Sequence, residues 1–449
     1  MSKMLYVKTY GCQMNVYDSS KIQDLLIPHG FMITDTPSES DIVIINTCHI
    51  REKASEKLYA ELGRLANLKL KKQQDGKDMV VVVAGCVAQA EGKEVVKRAP
   101  IVDIVVGPQS YHELPALIEK IRREKKWLIS LSFEENKKFD ALPMDVSSQS
   151  VSAFVSIQEG CDKFCHFCCV PYTRGAEYSR SPEKIIEEIS CILDSKNVSE
   201  ITLLGQNVNA YHGVDRFGNL WTLGRLLENL SQDHRIARLR YTTSHPRDMN
   251  DELLFMAHKH PKIMPFIHLP VQSGSDKILK SMNRKHTAME YLEIIERFRM
   301  ISDKIQFSSD FIVGYPGETD ADFSETLELV KVVGYASAYS FKYSPRPGTP
   351  ASVMSEQISE EVKQERLAKL QELLEAQRLC FNRKMLEQKV KILLMKDGKH
   401  NSQWIGKTEY MQSVIVEKVP YNVKIGDIVT VKITEAFTNS MKGEIQNLS

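Results

Sequence analysis

"SAFVSIQEGCDKFCHFCC", residues 152–169, joins a short apolar run to four of the chain's nine cysteines, packed into nine positions. Cys161, Cys165 and Cys168 are spaced C-x3-C-x2-C. A loop this tight can bring three thiolates to three corners of an iron–sulfur cube, a group that takes soft thiolate ligands. Three ligands leave the fourth iron open to a substrate. Zinc sites more often draw four ligands from paired C-x2-C units, and no second pair is present. Ordinary buried thiols are the plain alternative. The adjacent Cys169 reads as a small buried hydrophobe, because neighbouring side chains point in different directions.

The apolar run opens a β/α series that extends to about residue 345. Its expected strands are "SAFVSIQ", "EITLLG", "IARLRYTT", "PFIHLPV", "IQFSSDFIVG" and "ASAYSFKY". Helices fall between them; one begins at Ser181, a capping residue, with Pro182 at its first position. Six strands with crossover helices predict a partial or full β/α barrel whose site lies at the carboxyl ends of the strands.

An earlier series covers residues 4–125. There "LYVKTY", "DIVIIN", "MVVVVAG" and "IVDIVVG" alternate with helical segments, which predicts an open, mostly parallel α/β sheet. Residues 126–146 are polar and irregular and read as a linker. After "SPRPGTPAS" comes a charged helix with Leu367, Leu370 and Leu374 on one face. From about 383 the period becomes two, as where Val429, Val431 and Ile433 alternate with Thr430, Lys432 and Thr434, and a small β-barrel is expected. The domains expected are therefore 1–125, the linker 126–146, a core 147–380 and a barrel 381–449.

A length of 449 residues suits two to four such domains. Net charge is only +1, so nucleic acid would have to meet local patches. Residues 381–449 hold eleven Lys/Arg against seven Asp/Glu, a mild local excess. With no run of eighteen apolar residues and no signal-peptide pattern at the start, a cytoplasmic protein without membrane contact is expected. Its cysteines then read as reduced thiols, metal ligands or catalytic groups.

Three further cysteines, Cys12, Cys48 and Cys86, each end an apolar run of the first series, at separations of 36 and 38 residues. Carboxyl ends of parallel strands line one edge of a sheet, where ligands bind. A shared metal site and three unrelated buried thiols are both open on spacing alone.

Polar groups at the ends of the barrel strands are candidates to hold a cofactor: Gln206, Asn207, His245, Gln272 and Asp310. Arg174 lies just past the cysteine loop and is suited to a carboxylate or phosphate. No side-chain acid or base is assigned. Aromatics among basic residues in "RLRYTTSHPR" and "YSFKYSPRPG" are candidates to stack on unpaired bases.

The C-x3-C-x2-C motif just after the first barrel strand, with Phe167 before the third cysteine, resembles the radical S-adenosylmethionine (SAM) superfamily. That resemblance implies a [4Fe-4S] cluster on Cys161, Cys165 and Cys168 whose open iron chelates SAM and splits it to a 5′-deoxyadenosyl radical. With the second set of three cysteines, the chain resembles the methylthiotransferase family along its whole length. That family joins a cluster domain, a radical SAM (β/α)6 partial barrel and a TRAM-type RNA-binding β-barrel. "KTYGCQMNVYDS", "NTCHIREKA", "GCVAQ", "QEGCDKFCHFCCVPYTRGAEYSR" and "HLPVQSGSDKILKSMNR" look like the branch that acts on isopentenyladenosine in tRNA. The ribosomal-protein branch more often starts "GC-P-KN", and the threonylcarbamoyladenosine branch "GCKVN". His49, His166 and Cys169 depart from the branch, which more often has Ser, Thr and Val there.

The resemblance implies an auxiliary [4Fe-4S] cluster on Cys12, Cys48 and Cys86, hence two clusters. It also implies two SAM per turnover and a methylthio group placed on carbon 2 of the base at position 37. Expected partners are the tRNA anticodon stem-loop, an electron donor such as flavodoxin or ferredoxin, and iron–sulfur assembly or sulfur-carrier proteins, with the chain a monomer. The other readings are methylthiolation of a ribosomal protein or of threonylcarbamoyladenosine tRNA, and a non-catalytic iron–sulfur protein that binds RNA.

Overall fold

The computed structural model describes residues 3–49, 52–124, 126–133, 138–139, 142–143, 150–195, 197–400, 402–417 and 419–446. These form two compact units. The first comprises Met1–Ser148, Gln158–Asp162 and Cys168–Arg180; the second comprises Gln149–Ile157, Lys163–Phe167 and Ser181–Ser449.

The first unit is built on β1 (Lys3–Tyr10), β2 (Phe31–Ile33), β3 (Ile42–Thr47), β4 (Val80–Gly85), β5 (Ile104–Val106) and β6 (Leu128–Ser130). They pair in parallel in the order β2-β1-β3-β4-β5-β6. The β-branched runs in β3 and β4 are buried throughout because helices cover both faces of the sheet. Ile42 and Ile44 enter one core with Leu5, Ile22 and Val82. Val43 and Ile45 enter the other with Leu58, Leu62 and Val83. The helices include α1 (Gln13–Leu26), α2 (Glu52–Gln74), α3 (Cys86–Glu91), α4 (Lys93–Arg98) and α5 (Leu114–Glu124).

Four strands of this sheet match the apolar runs. β2 and β6 were not expected, and β6 lies inside the stretch taken for a linker. At three residues each, they are too short to show a period. The expected boundaries near 125 and 146 fall at residue 125 and among 144–149, outside the described residues, as do parts of "EENKKFD" and "DVSSQS".

In the second unit all six expected barrel strands form. β7 (Ser152–Ser156), β8 (Glu200–Leu204) and β9 (Arg238–Thr242) make one parallel group; β10 (Phe266–His268), β11 (Gln306–Val313) and β12 (Ser337–Lys342) make another. An isolated parallel bridge pairs Leu239 of β9 with Ile263, three residues before β10. The parallel pairing and crossover helices give the (β/α)6 partial barrel.

A helix, Glu360–Arg383, packs on β12. Its inward face carries Lys363, Arg366, Leu370 and Leu374, while Leu367 is only half-buried. Five strands after it close into a small barrel over Lys389–Ile445. Val429, Val431 and Ile433 point into its core as the alternation requires. Among the described residues no helix is long and apolar enough to cross a membrane.

Arg238 and Arg240, the basic neighbours of Tyr241 in "RLRYTTSHPR", are buried against this small barrel. Arg238 Nη1 and Nη2 donate to the carbonyls of Lys407 and Lys391, each at 2.9 Å. Arg240 donates to the carbonyls of Glu409 and Thr408 and to Glu200 Oε2 at 2.8 Å. Tyr241 is buried too, its hydroxyl 2.8 Å from His258 Nε2. Aromatics of "YSFKYSPRPG" divide: Tyr339 and Phe341 are exposed and Tyr343 is buried.

Burial pushes the His258 imidazole down from 6.5 to about 4. The folded chain therefore stays neutral there while the unfolded chain takes up a proton. This site's contribution to stability is present above about pH 6.5 and is lost as pH falls towards 4. Thermal unfolding followed against pH should show a shallower fall in Tm across that window for His258→Gln than for the parent chain.

Candidate active site

Cys12, Cys48 and Cys86 stand at the carboxyl ends of three adjacent strands, β1, β3 and β4. Cys12 caps α1, and Asn15 Oδ1 accepts from its backbone N–H and its thiol, both at 3.3 Å. Asn15 is fixed by Asn46, which donates to its carbonyl at 3.0 Å and accepts from its side-chain amide at 3.1 Å. Cys48 N donates to Tyr10 O at 2.8 Å, so β1 and β3 stay in register beyond their last paired residues.

A hydrogen bond with Cys48, aided by the charge of Arg174, lowers the Cys12 thiol to about 6 against the effect of burial. Burial raises the Cys86 thiol, and Arg174 opposes that rise. Two buried thiols and one half-buried thiol at one sheet edge, one of them predisposed to ionise, fit a thiolate-bound cluster.

Gly11 and Gly85 precede Cys12 and Cys86, each at positive φ, +148° and +93°. A Cβ on Gly11 would stand 2.5 Å from Cys48 Cβ, and one on Gly85 would stand 2.7 Å from Thr47 O. Only glycine lets the strand ends approach this closely.

Arg174 does not wait for a ligand. Its Nη2 donates to Asp18 Oδ2 at 2.7 Å and its Nη1 to Glu159 Oε1 at 2.5 Å. Lys138 bridges the same carboxylates, donating to Asp18 Oδ1 at 3.2 Å and to Glu159 Oε2 at 2.9 Å. All four side chains are at most 3% exposed. Asp18, Lys138 and Glu159 were missed by sequence reading. Asp18 and Glu159 lie within quoted motifs, and Lys138 sits in the supposed linker.

Cys161 and Cys168 lie in the first unit and are half-buried; Cys165 lies in the second and is buried. Arg284 Nη1 donates to Cys165 Sγ at 3.6 Å. The segment around Cys165 is clamped by residues 281–283. His166 N donates to Met282 O at 3.0 Å, its Nδ1 lies 2.8 Å from Ser281 O, and Asn283 Nδ2 donates to Phe164 O at 3.0 Å. His166 is thus held through both its backbone and its ring. Cys169 is buried as expected. Arg284, last residue of the "HLPVQSGSDKILKSMNR" motif, was not singled out.

The strand-end candidates differ in availability. His245 is buried, and its Nδ1 accepts from Arg247 N at 3.1 Å, while Nε2 has no partner. The neighbouring Thr243 and Ser244 hydroxyls are buried without partners as well. Burial, with Arg284 next in effect, pushes the His245 imidazole far below its ordinary range, so it is neutral. Gln272 is buried at φ +77°, held by backbone bonds to Asp310 and Ile312. Asn207 donates to Asp248 Oδ2 at 2.6 Å, and Asp248 pairs with Lys163 at 2.7 Å. Asp310 lies 3.7 Å from His268 Nε2. Gln206 is half-buried. Orphaned buried polar atoms beside β9 fit a polar cofactor. Among the described residues no three His, Cys, Asp or Glu converge to the spacing of a single metal ion. Thiolates that each hold a different iron of a cluster stand wider apart.

Comparison with known proteins agrees with this layout. Residues 4–107 match the uncharacterized protein family UPF0004, residues 155–330 the radical SAM superfamily, and residues 383–445 the TRAM domain. The solved structure of the radical S-adenosylmethionine methyltransferase TsrM from Kitasatospora setae has the same fold at TM-score 0.58 and 12% identity, over 78% of this chain and 75% of that one. The class is therefore a radical SAM protein with an added N-terminal sheet domain and a TRAM barrel. The tRNA-2-methylthio-N(6)-dimethylallyladenosine synthase of Rickettsia bellii is 56% identical over 99% of this chain and 100% of its own. That of Ehrlichia chaffeensis is 55% identical over 99% of each. The chain belongs to the tRNA-2-methylthio-N(6)-dimethylallyladenosine synthase family.

Replacing Gly11 with Ala should cost about 2–4 kcal/mol, from strained backbone and overlap with Cys48. Denaturant unfolding of the cluster-free chain measures this as a lower midpoint.

Proposed function

We propose that this chain replaces the hydrogen on carbon 2 of N6-isopentenyladenosine, at position 37 of tRNA, with a methylthio group, consuming two SAM per turnover. The observation that carries this reading is full-length identity of 56% with a relative of that name. Two separate sets of three cysteines in the same chain support it. Cys161, Cys165 and Cys168 would hold one [4Fe-4S] cluster, and Cys12, Cys48 and Cys86 a second. When bound, the first cluster with SAM supplies the radical chemistry that an unactivated carbon–hydrogen bond requires, and the second supplies sulfur.

The chain's own residues prepare these sites. Arg284 donates from Nη1 to the Cys165 sulfur at 3.6 Å and so helps to hold that ligand in place. The His245 Nε2 and the Ser244 and Thr243 hydroxyls are free to meet the polar groups of SAM. Asn207, locked to Asp248, serves to position the loop. Tyr339 and Phe341 lie on one face of β12, which pairs Asp310 with Tyr339. They are suited to stack on a base taken out of its helix. The C-terminal barrel is the RNA-binding module in this reading. The expected setting is the cytoplasm, with the chain monomeric. A flavodoxin- or ferredoxin-type donor would supply electrons, and an iron–sulfur or sulfur-carrier protein would restore the sulfur.

Nucleoside mass spectrometry tests the reading. The chain is reconstituted with iron and sulfide without oxygen, then given SAM, reductant and tRNA bearing isopentenyladenosine. A mass gain equal to methylthio for hydrogen on that nucleoside is expected. Cys12→Ala, Cys48→Ala and Cys86→Ala should each still release 5′-deoxyadenosine yet give no methylthiolated product. Full product from these variants would remove the role given to the first unit.

A further inference from the structure

Between the carboxyl end of β8 and the helix Leu223–Ser231, the chain forms a two-stranded hairpin, His212–Val214 paired antiparallel with Leu220–Thr222. Its root is fastened to residues at the end of β9. Val208 N donates to Thr243 O at 2.9 Å, Asn209 Nδ2 donates to His245 O at 2.8 Å, and His245 N donates back to Asn209 Oδ1 at 2.8 Å. The hairpin therefore stands at the rim of the strand-end site, on the face of a β/α barrel where ligands bind. Its tip is fixed from within. The Asp215 carboxylate accepts from Phe217 N at 2.9 Å, Asn219 N at 2.8 Å and Trp221 Nε1 at 3.1 Å, and Arg216 N donates to Glu183 Oε1 at 2.8 Å. What this braced tip presents is apolar and cationic. Phe217 is 76% exposed, and Val214 and Leu220, opposite one another in the pairing, are exposed too. Arg216 lies over the Phe217 ring at 4.9 Å, and Arg225 lies over the Trp221 ring at 4.4 Å. Neither guanidinium has a carboxylate partner among the described residues. A purely apolar partner would leave both cations without counter-charge. An RNA loop supplies an unpaired base for the ring and phosphates for the guanidinium.

We propose that the hairpin tip grips single-stranded RNA beside the target adenosine: the Phe217 ring stacks on an unpaired base next to it, and the Arg216 guanidinium meets a backbone phosphate. This rests on the reading of a tRNA anticodon loop as substrate, and adds to it a contact outside the C-terminal barrel. Chemistry on carbon 2 needs the target base out of its stack. Its neighbour in the loop then loses a stacking partner, and an aromatic at the rim of the site replaces it. Every base has a π-face, so the tip holds the loop without reading its sequence. Because Asp215 already fixes the turn, little order is lost when the tip binds.

The test measures binding of the full chain to a fluorescent anticodon stem-loop bearing isopentenyladenosine, by anisotropy over a range of salt concentrations. Phe217→Ala should weaken binding roughly ten-fold, and Phe217→Trp, which keeps a π-face, should stay within about two-fold of the parent. Arg216→Gln should flatten the dependence of log Kd on log salt by about 0.7, the share of one single-strand phosphate. Met300→Ala removes an equally exposed apolar side chain from the last turn of the helix Ala288–Ile301 and should change nothing. The stem alone, as a duplex without a loop, should bind the parent and Phe217→Ala alike, because duplex bases are not open to stacking. Unchanged loop binding by Phe217→Ala, or a duplex weakened as much as the loop, would overturn the proposal. Slower reduction of the variants by flavodoxin with RNA binding intact would make the tip a protein-docking surface and overturn it too. A Phe217→Ala chain that does not fold assigns the ring to the fold and overturns it equally. A parent chain that does not bind the stem-loop would instead refute the tRNA reading, and the inference would fall with it.

Discussion

A ring of four buried charges organises the first unit. Isolated, each of Asp18, Lys138, Glu159 and Arg174 would be costly to strip of water; together each has two opposite partners. Because the penalty for losing one member is large, the ring fixes the segments that carry it. Asp18 lies six residues after Cys12. Glu159 lies two before Cys161, and Arg174 six after Cys168. Electrostatic necessity thus holds in place the backbone flanking two cysteine motifs.

A second constraint acts on both units: parallel strands present their carboxyl ends at one edge, and the chain must turn there to start a helix. In the first unit the turns after β1, β3 and β4 each carry a cysteine, twice with a glycine before it. At Gly11 and Gly85 the neighbouring strand end is so near that a Cβ has no room. In the second unit the same edge collects His245, Asn207 and Gln272. Here the buried but unpartnered atoms of Thr243, Ser244 and His245 mark where a ligand's polar groups fit. The chemistry sits where the topology leaves backbone turns, and the rigid sheets behind keep it there.

Much of this was legible in the residues. Six barrel strands, four sheet strands and the alternation of the small barrel follow from apolar period, and the two cysteine sets follow from spacing. What escaped shares one property: it depends on partners far away in sequence. β2 and β6 are too short to show a pattern and exist only because β1 and β5 offer edges to pair with. Arg238 and Arg240 stand beside an aromatic candidate in a short basic stretch, and nothing local shows that their donors satisfy carbonyl groups of the small barrel some 150–170 positions later. Lys138 is one charge in a polar stretch until Asp18, 120 residues earlier, and Glu159 are seen beside it.

By itself, then, the sequence determined the order of domains, the strand–helix rhythm and the identity of the thiols, since periodicity and ligand spacing are local properties of a chain. Tertiary structure alone decided which charges are buried, which arginine serves a cysteine and which serves a domain contact, and which histidine nitrogen is left without a partner. Those outcomes depend on what packs against each group. A charge 156 residues from its counter-charge, as Arg174 is from Asp18, carries no local signal that the two will meet.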